Sequence, residues 1–259
     1  RYFTVSRAIN KLRGYPTQLL IETTNVCNLS CPMCTTAVGQ NESVRKKGYL
    51  TLADFKQVVD RTERYVNSLG LFFGGEPMLN TELPEMIKYA RSKRIETFIS
   101  TNGTMLDAAA IDRILDAGLD KMTISFDGMS KPTYEKYRVG ADYDDVWAKI
   151  KDLTKAKRER GLAKPFIQLQ FIVMKHNQHE IPKLAAGKQE LGVDEIVVKT
   201  VAIPTWIYDD KWKINDLFAE WLPDKKWTKY EGTGYGAKVK GKQNKCEWLH
   251  KGVVHWDGR

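Results

Sequence analysis

Apolar positions along the chain form short continuous runs that alternate with helical spacings, and this rhythm repeats six times. The short runs predict buried strands, and apolar residues three or four positions apart predict amphipathic helices. The predicted strands are Gln18 to Glu22, Leu69 to Phe73, Ile95 to Ser100, Lys121 to Phe126, Phe166 to Met174 and Glu195 to Lys199. The predicted helices begin after the N-cap Thr51 and cover Glu82 to Lys93, Leu106 to Ala117, Val146 to Arg160 and Glu180 to Leu191. This alternation predicts an α/β fold with a parallel sheet, and six units are too few for a closed eight-stranded barrel.

The alternation ends near residue 200, which suggests a division of the chain. We predict a lead-in helix over residues 1–16 and an α/β domain over residues 17–203. A linker over residues 204–245 contains a helix and a Lys/Gly-rich segment, and a short further segment covers residues 246–259.

Composition places the chain among ordinary globular proteins, with 259 residues, 42% of them hydrophobic and 28% charged. No apolar run approaches the roughly 20 residues that span a bilayer, and no signal-peptide pattern opens the chain. We therefore expect a cytoplasmic protein without a membrane span.

The net charge is +9, with basic clusters at residues 45–47, 155–160 and 238–245. Such clusters either attract anionic partners or form a solvated surface. We favour the solvated surface, because the chain has no RNP or zinc-finger pattern, and we expect no nucleic-acid partner.

Three of the four cysteines, Cys27, Cys31 and Cys34, lie in one loop with the spacing Cys-x3-Cys-x2-Cys. Clustered thiols in a chain of this kind indicate metal binding before disulfides. A structural zinc site needs a fourth ligand, and no histidine lies near the loop, which leaves Cys246 for that alternative. On a [4Fe-4S] cluster, three thiolates leave one iron open, which indicates chemistry at the metal.

The loop from Cys27 to Cys34 resembles the signature of the radical S-adenosylmethionine (SAM) enzymes. The resemblance implies an open, partial (β/α)6 barrel and a [4Fe-4S] cluster whose open iron binds SAM. It also implies reductive cleavage of SAM to a 5′-deoxyadenosyl radical, which abstracts a hydrogen atom from a substrate. Met33 stands where the family usually has an aromatic residue beside the adenine, and a long apolar side chain fills the same space.

Ligands of parallel α/β sheets bind at the carboxyl ends of the strands, and Gly74-Gly75-Glu76-Pro77 follows the second predicted strand. The glycines allow close backbone approach, and Glu76 can accept hydrogen bonds from a cationic group. The segment resembles the GGEP motif of the family, which binds the α-amino group of SAM. The alternative is a plain glycine turn with a solvated carboxylate.

Polar residues also follow the later strands. Asn102 follows the third strand, Ser125 and Asp127 the fourth, and Asn177 the fifth. The resemblance implies that such residues face the carboxylate or ribose of SAM, whereas Asn-Gly and Asp-Gly pairs are also common turn formers. His176 and His179 are interpreted as polar loop residues.

The segment that begins at Cys246 allows two interpretations. It reads either as a lone buried cysteine before a short hairpin, or as the opening of a SPASM-type auxiliary-cluster domain. We favour the second, in which Cys246 ligates an auxiliary iron–sulfur cluster whose other ligands lie beyond Arg259.

The resemblance implies a radical SAM enzyme that acts on a peptide or protein side chain, or on a sugar-like small molecule. A reductant such as flavodoxin or ferredoxin is the expected partner. No residue stands out as a catalytic acid, base or hydrogen donor. The alternative is a non-catalytic iron–sulfur protein for electron transfer or sensing, which has no need of the Gly74 to Pro77 motif.

Overall fold

The computed structural model describes residues 14–34, 36–37, 45–201, 220–228, 230–231, 238–239 and 251–258. Most of the predicted lead-in helix, most of the linker and Cys246 lie outside the described residues. No described helix is long and apolar enough to cross a membrane.

Seven parallel strands form one open sheet. They are β1 Gln18–Ile21, β2 Ser68–Gly70, β3 Glu96–Thr101, β4 Lys121–Ser125, β5 Phe166–Val173, β6 Glu195–Thr200 and β9 Lys251–Val254. Their order across the sheet is β6-β5-β4-β3-β2-β1-β9. Two further strands, β7 Tyr230–Glu231 and β8 Lys238–Val239, form a separate antiparallel pair. The parallel pairing of β1 to β6 confirms the predicted partial (β/α)6 barrel.

Helices connect the strands and cover the outer face of the sheet. They are α1 Leu52–Thr62, α2 Leu83–Ser92, α3 Ala108–Ala117, α4 Lys131–Tyr137, α5 Tyr143–Glu159 and α6 Leu184–Leu191. Side chains of Thr51, Asp107 and Asp142 cap α1, α3 and α5 by accepting a backbone N–H. These caps explain why α3 begins two residues later, and α5 three residues earlier, than the apolar pattern predicts.

The main core lies between this outer face and the helices. Ile21, Leu69, Ile99, Ile124 and Leu169, one from each of five neighbouring strands, have no solvent exposure. The opposite, inner face of the sheet is the wall on which polar side chains remain available for a site.

Strand β2 and the helix predicted from Glu180 to Leu191 also differ from the predictions. Strand β2 ends at Gly70 instead of Phe73, because the chain leaves the ladder after the Leu71 N–H bonds the Phe98 carbonyl at 2.8 Å. The segment predicted as one helix from Glu180 begins as a 3-10 helix, Gln178–Lys183, with Pro182 inside it; α6 follows. Proline has no N–H to give to an α-helical bond.

The sequence pattern missed helix α4 altogether. It is only seven residues long and contains Pro132, and its buried residues are Tyr134 and Tyr137. A short helix with two aromatic anchors has too little periodicity to be distinguished from a loop.

The described part of the C-terminal segment joins the sheet. Strand β9 pairs with β1 in parallel, with Gln18 opposite Lys251 and Ile21 opposite Val254. Residues 251–254 therefore form a strand of the main sheet, and both readings of the segment around Cys246 stay predictions. The start of a separate domain at residue 246 stays a prediction.

Candidate cofactor site at the cysteine loop

Cys27, Cys31 and Cys34 line one cavity of about 140 Å³ at the carboxyl ends of β1 to β4. All three are free thiols, and Cys31 is buried. The cavity is also lined by Leu29, Phe72, Phe73, Gly75, Glu76, Ser100, Thr101, Asn102, Ser125 and Arg138. The structure therefore brings the cysteine loop together with the ends of the neighbouring strands.

The chain before the cysteines is fixed by its own polar groups. The Thr24 hydroxyl donates to the Gly48 carbonyl at 2.7 Å, and the Asn25 amide donates to the Lys46 carbonyl at 2.9 Å. The Gly48 N–H donates to Asn25 Oδ1 at 2.9 Å. These bonds tie the strand end to residues 46–48, so the loop leaves β1 in a defined direction.

Hydrogen-bond donors point at the sulfur atoms. Arg138 Nη1 lies 3.7 Å from Cys31 Sγ, and Asn102 Nδ2 lies 4.0 Å from Cys27 Sγ. Burial raises the pKa of the Cys31 thiol to about 11, and the nearby Arg138 charge opposes this rise. Binding of a metal centre must therefore release thiol protons, and the donors then face thiolates.

No group of three or more His, Cys, Asp or Glu side chains surrounds a single metal-ion position in the described part of the chain. A [4Fe-4S] cluster does not need such a group, because each cysteine ligates a different iron and the sulfurs stand farther apart. Three thiols on one cavity, two of them faced by donors, fit the ligand set of such a cluster.

Glu76 lies in the cavity wall with 2% exposure. Gly75 lets it reach this place: its φ is +65°, and a Cβ there would lie 2.5 Å from the Val26 carbonyl oxygen. The Glu76 N–H donates to that same carbonyl at 2.7 Å. The turn therefore rests directly on the backbone that leads into the cysteine loop, which no other residue type at position 75 permits.

The Glu76 carboxylate accepts three protein hydrogen bonds. Thr101 Oγ1 donates at 2.7 Å, and the N–H groups of Asn102 and Met78 donate at 2.7 and 3.0 Å. Burial nevertheless raises the pKa of Glu76 above its usual range. An ionised carboxylate has about four acceptor positions, so Glu76 keeps the capacity to accept from a cationic ligand.

Asn102 and Ser125 also line the cavity. The Asn102 amide donates to Asn28 Oδ1 at 2.9 Å and accepts from the Thr104 N–H at 2.9 Å. Asn102 thereby connects the end of β3 to the cysteine loop. Contact of Asn102 and Ser125 with SAM stays a prediction.

Asp127 and Asn177 do not line the cavity. Asp127 is fully buried, accepts from the Ile172 N–H at 2.6 Å and forms an ion pair with Arg138. The Asn177 amide donates to the Asp127 carbonyl at 2.9 Å and accepts from the Met174 N–H at 2.7 Å. Asp127 thereby holds Arg138 beside Cys31, and Asn177 fixes the backbone at Asp127. Contact of either residue with SAM stays a prediction.

Met33, Gly74 and Pro77 lie around the cavity but do not line it. Met33 packs in an apolar cluster with Leu29, Tyr137 and Trp221. Gly74 lies against the Glu22 carboxylate, and Pro77 opens the 3-10 helix Pro77–Leu79 that follows Glu76. Cys246 lies outside the described residues.

Sequence reasoning missed Arg138 and the two cavity phenylalanines, Phe72 and Phe73. Arg138 follows the unpredicted helix α4, and no motif marks it. Phe72 and Phe73 fall within the second predicted strand, Leu69 to Phe73. Their position directly before Gly74-Gly75 was the available signal, because residues at a strand end face the ligand side.

A larger cavity, about 340 Å³, lies between α2, α3 and the 3-10 helix Pro77–Leu79. It contains no cysteine, and its one carboxylate, Asp107, is occupied in capping α3. It carries no chemistry comparable to the cysteine cavity.

Comparison with known proteins places this geometry in context. A family profile described as the Radical SAM superfamily matches residues 21–185. The chain is 30% identical over 187 residues to the tungsten-containing aldehyde ferredoxin oxidoreductase cofactor-modifying protein of Pyrococcus furiosus. The aligned segment covers 71% of this chain and 51% of that protein. It is 28% identical over 193 residues to the PqqA peptide cyclase of Granulibacter bethesdensis, which covers 74% and 49%.

Among solved structures, Streptococcus suis SuiB bound to precursor peptide SuiA has a similar fold. The TM-score is 0.62 at 14% identity, with 96% of this chain and 52% of that chain covered. The chain spans about half the length of the curated relatives it matches.

Proposed function

The chain belongs to the radical SAM superfamily, a family of enzymes that use a [4Fe-4S] cluster and SAM, and on this basis we propose that Cys27, Cys31 and Cys34 hold that cluster. When bound, the cluster supplies the electron that cleaves SAM to methionine and a 5′-deoxyadenosyl radical. The proposed reaction is abstraction of a hydrogen atom from a substrate by this radical.

The observation that carries the proposal is the pair of opposite charges beside the cysteines. Glu76 and Arg138 line the same cavity as the three thiols. The methionine end of SAM carries an ammonium and a carboxylate, and these two side chains complement both. An electron-transfer protein needs the thiols but neither charge, which is why we prefer the enzyme to that alternative.

Arg138 is held for this role by charge and by packing. Its Nε donates to Asp127 Oδ2 at 2.8 Å, and its guanidinium lies over the Tyr137 ring at 5.4 Å. Nearby charges, Asp127 first, outweigh the effect of burial and raise the pKa of Arg138. A cation fixed in this way can orient a carboxylate without rearrangement during the reaction.

An apolar wall protects the cysteines from water. Leu29, Tyr137, Met174 and Trp221 pack around Cys31 and Met33. Trp221 is fixed by its carbonyl, which accepts from the Lys175 N–H at 3.1 Å. A radical needs a site from which solvent is excluded, and this wall provides it on one side.

The inner face of the sheet offers a place for the substrate. Ser100 lines the cavity and is paired in register with Thr123, which is paired with Gln168. Thr123 Oγ1 donates to Gln168 Oε1 at 3.2 Å, and Gln168 Nε2 donates to Glu195. This row of hydroxyl and amide groups suits a substrate with many hydrogen-bonding groups.

A peptide is the proposed substrate class. PqqA peptide cyclase is named for a peptide, and the SuiB structure holds the peptide SuiA. The backbone of a peptide presents the alternating donors and acceptors that Ser100, Thr123 and Gln168 can pair with. A sugar-like small molecule is the second candidate, on the same row of groups.

The proposed partner is a small reductant protein of the flavodoxin or ferredoxin type, because the cluster needs one electron for each SAM cleaved. We also propose that Cys246 belongs to an auxiliary iron–sulfur cluster of a SPASM-type domain. That assignment rests on the sequence pattern around residues 246–258.

The test is SAM cleavage by anaerobically reconstituted protein. After iron and sulfide analysis, the protein receives dithionite and SAM, and 5′-deoxyadenosine is measured by chromatography. A chelator-treated sample is the control. Cluster-dependent 5′-deoxyadenosine supports the proposal; none from a protein with a full cluster favours the electron-transfer alternative. Deuterium transfer from labelled peptides into 5′-deoxyadenosine then identifies the substrate.

A further inference from the structure

Strand β9 and the turn after it, residues 251–257, are held on β1 by more than a backbone ladder; we call them the β9 segment. The ladder continues past the strand, since the Glu22 N–H donates to the Val254 carbonyl at 2.9 Å. Strand β9 has only four residues, all half-buried, at the edge of the sheet. Short edge strands open most easily, so side-chain contacts decide how firmly the segment is docked.

Glu22 is the anchor of the β9 segment. Its carboxylate has 1% exposure and accepts from both terminal nitrogens of Arg45, one of them at 3.1 Å. Glu22 Oε2 also lies 3.3 Å from the backbone nitrogen of Trp256 and 3.3 Å from His255 Nδ1. One buried carboxylate thus joins β1, the segment at residue 45 and the β9 segment.

The Trp256 ring packs directly against Gly48, where a larger residue would clash with it. A Cβ on Gly48 would lie 2.3 Å from the Trp256 ring. The ring packs against the main core. Any side chain at position 48 therefore displaces Trp256, while the backbone N–H and carbonyl of residue 48 still bond Asn25 and Thr24.

Two contacts lead from this anchor to the cysteine cavity. A Cβ on Gly74 would lie 2.9 Å from Glu22 Oε1, so the turn before Glu76 rests on the carboxylate. The His255 ring meets the Phe73 ring edge-on, with centroids 5.4 Å apart and an interplanar angle of 74°. Phe73 lines the cavity and is 48% exposed, so little else holds its ring.

We infer that Glu22 and His255 are positioning residues of the cysteine cavity, which make the arrangement of Phe73 and Gly74 depend on docking of the β9 segment. The inference rests on the proposed function in that SAM is the ligand whose binding this arrangement serves. Undocking of the β9 segment is expected to loosen the turn at residues 72–76 and to weaken SAM binding. Both consequences follow from contacts, without any change in the cysteines.

Hydrogen exchange tests the coupling without the cofactor's activity. Gly48→Ala undocks Trp256 by a clash, and His255→Gln removes the ring that meets Phe73. Each variant is expected to speed exchange about tenfold in residues 251–257 and also in peptides covering residues 71–78. The Glu76 N–H, bonded to the Val26 carbonyl, is the amide to follow.

Controls separate coupling from general destabilisation. Asp194→Asn breaks the ion pair with Lys157, at 2.8 Å, and weakens the other edge of the sheet. It should leave residues 71–78 protected. Trp256→Ala removes the ring without a clash, and His255→Phe keeps a ring against Phe73. Faster exchange confined to residues 251–257 in Gly48→Ala, Trp256→Ala and His255→Gln would overturn the inference.

SAM binding provides the second readout, measured by equilibrium dialysis with labelled SAM on reconstituted protein. Gly48→Ala and His255→Gln should weaken SAM binding about fivefold or more, while Asp194→Asn should not. Unchanged SAM affinity in both Gly48→Ala and His255→Gln would contradict the inference. If the wild-type protein itself binds no SAM, the proposed function fails, and the exchange result still decides the coupling.

Discussion

Two buried carboxylates, Glu22 and Glu76, follow the neighbouring strands β1 and β2. They differ in the groups that bond to them. Glu22 receives a guanidinium from within the chain, Arg45. Glu76 receives two backbone N–H groups and one hydroxyl, but no cation at bonding distance among the described residues.

The difference appears in their pKa values. Burial raises the pKa of Glu22, but the hydrogen bonds and charge of Arg45 outweigh burial and hold it below its usual range. Burial raises the pKa of Glu76, and its hydrogen bonds compensate only in part. A carboxylate that carries its own cation is a structural tie; one that lacks a cation is suited to receive a cationic ligand.

The largest expected effect comes from removing a proposed cluster ligand. Replacing Cys31 by Ala should reduce 5′-deoxyadenosine formation to background and lower the iron content, because one of the three proposed cluster ligands is lost. Ser30→Ala, an exposed neighbour in the same loop, is the control and should retain activity. Full activity in Cys31→Ala would show that Cys31 is not a cluster ligand.

The next test concerns the ligand role of Glu76. Glu76→Gln should weaken SAM binding about 10- to 100-fold, because a hydrogen bond to a charged group contributes roughly 1.5–3 kcal/mol. Binding is measured by equilibrium dialysis with labelled SAM. Glu85→Gln, which alters an exposed carboxylate paired with Lys88, should leave affinity unchanged. Equal affinities of all three proteins would remove Glu76 from the ligand contacts.

Glu22→Gln and Glu76→Gln should also differ in how far they lower the stability of the protein. Glu22→Gln removes the carboxylate nearest the largely buried Arg45 and leaves Asp257 at 4.0 Å, so it should lower the free energy of unfolding by about 3 kcal/mol. Glu76→Gln should lower it by less than about 1 kcal/mol, because removal of a buried unpaired charge offsets the weakened hydrogen bonds. Urea unfolding of both variants measures the difference. A larger loss of unfolding free energy in Glu76→Gln than in Glu22→Gln would contradict the assignment of Glu22 as the structural carboxylate and Glu76 as the ligand-binding one.

The smallest effect is in the pH dependence of stability. The stabilisation from Glu22 is complete above the unfolded carboxyl pKa, about 4.3, and is lost as the pH falls through the lower folded value. The stability gap between wild type and Glu22→Gln should therefore shrink as the pH falls from about 6 to about 3.

For Glu76 the sign is opposite. Its folded pKa is raised, so ionisation costs stability as the pH rises through that value, and protonation removes the cost. Wild type should gain stability relative to Glu76→Gln as the pH falls. Urea midpoints measured at several pH values for the three proteins check both directions, and parallel curves would contradict the pKa assignments.

The sequence by itself determined the fold class and the location of the candidate site. Strand and helix periodicity marked all six units, because most of these strands and helices bury an apolar face; β6, which has no buried residue, is an exception. The spacing of Cys27, Cys31 and Cys34 and the glycines before Glu76 are local features, and local features can be read along the chain.

Only the tertiary structure decided which polar residues face the cavity. Asp127 and Asn177 follow strands as Asn102 and Ser125 do, yet they are bonded to Arg138 and to backbone groups instead. Arg138 reaches Cys31 across 107 positions, and Glu22 reaches His255 across 233. Such contacts depend on which strands become neighbours, and periodicity within one element carries no record of its neighbours.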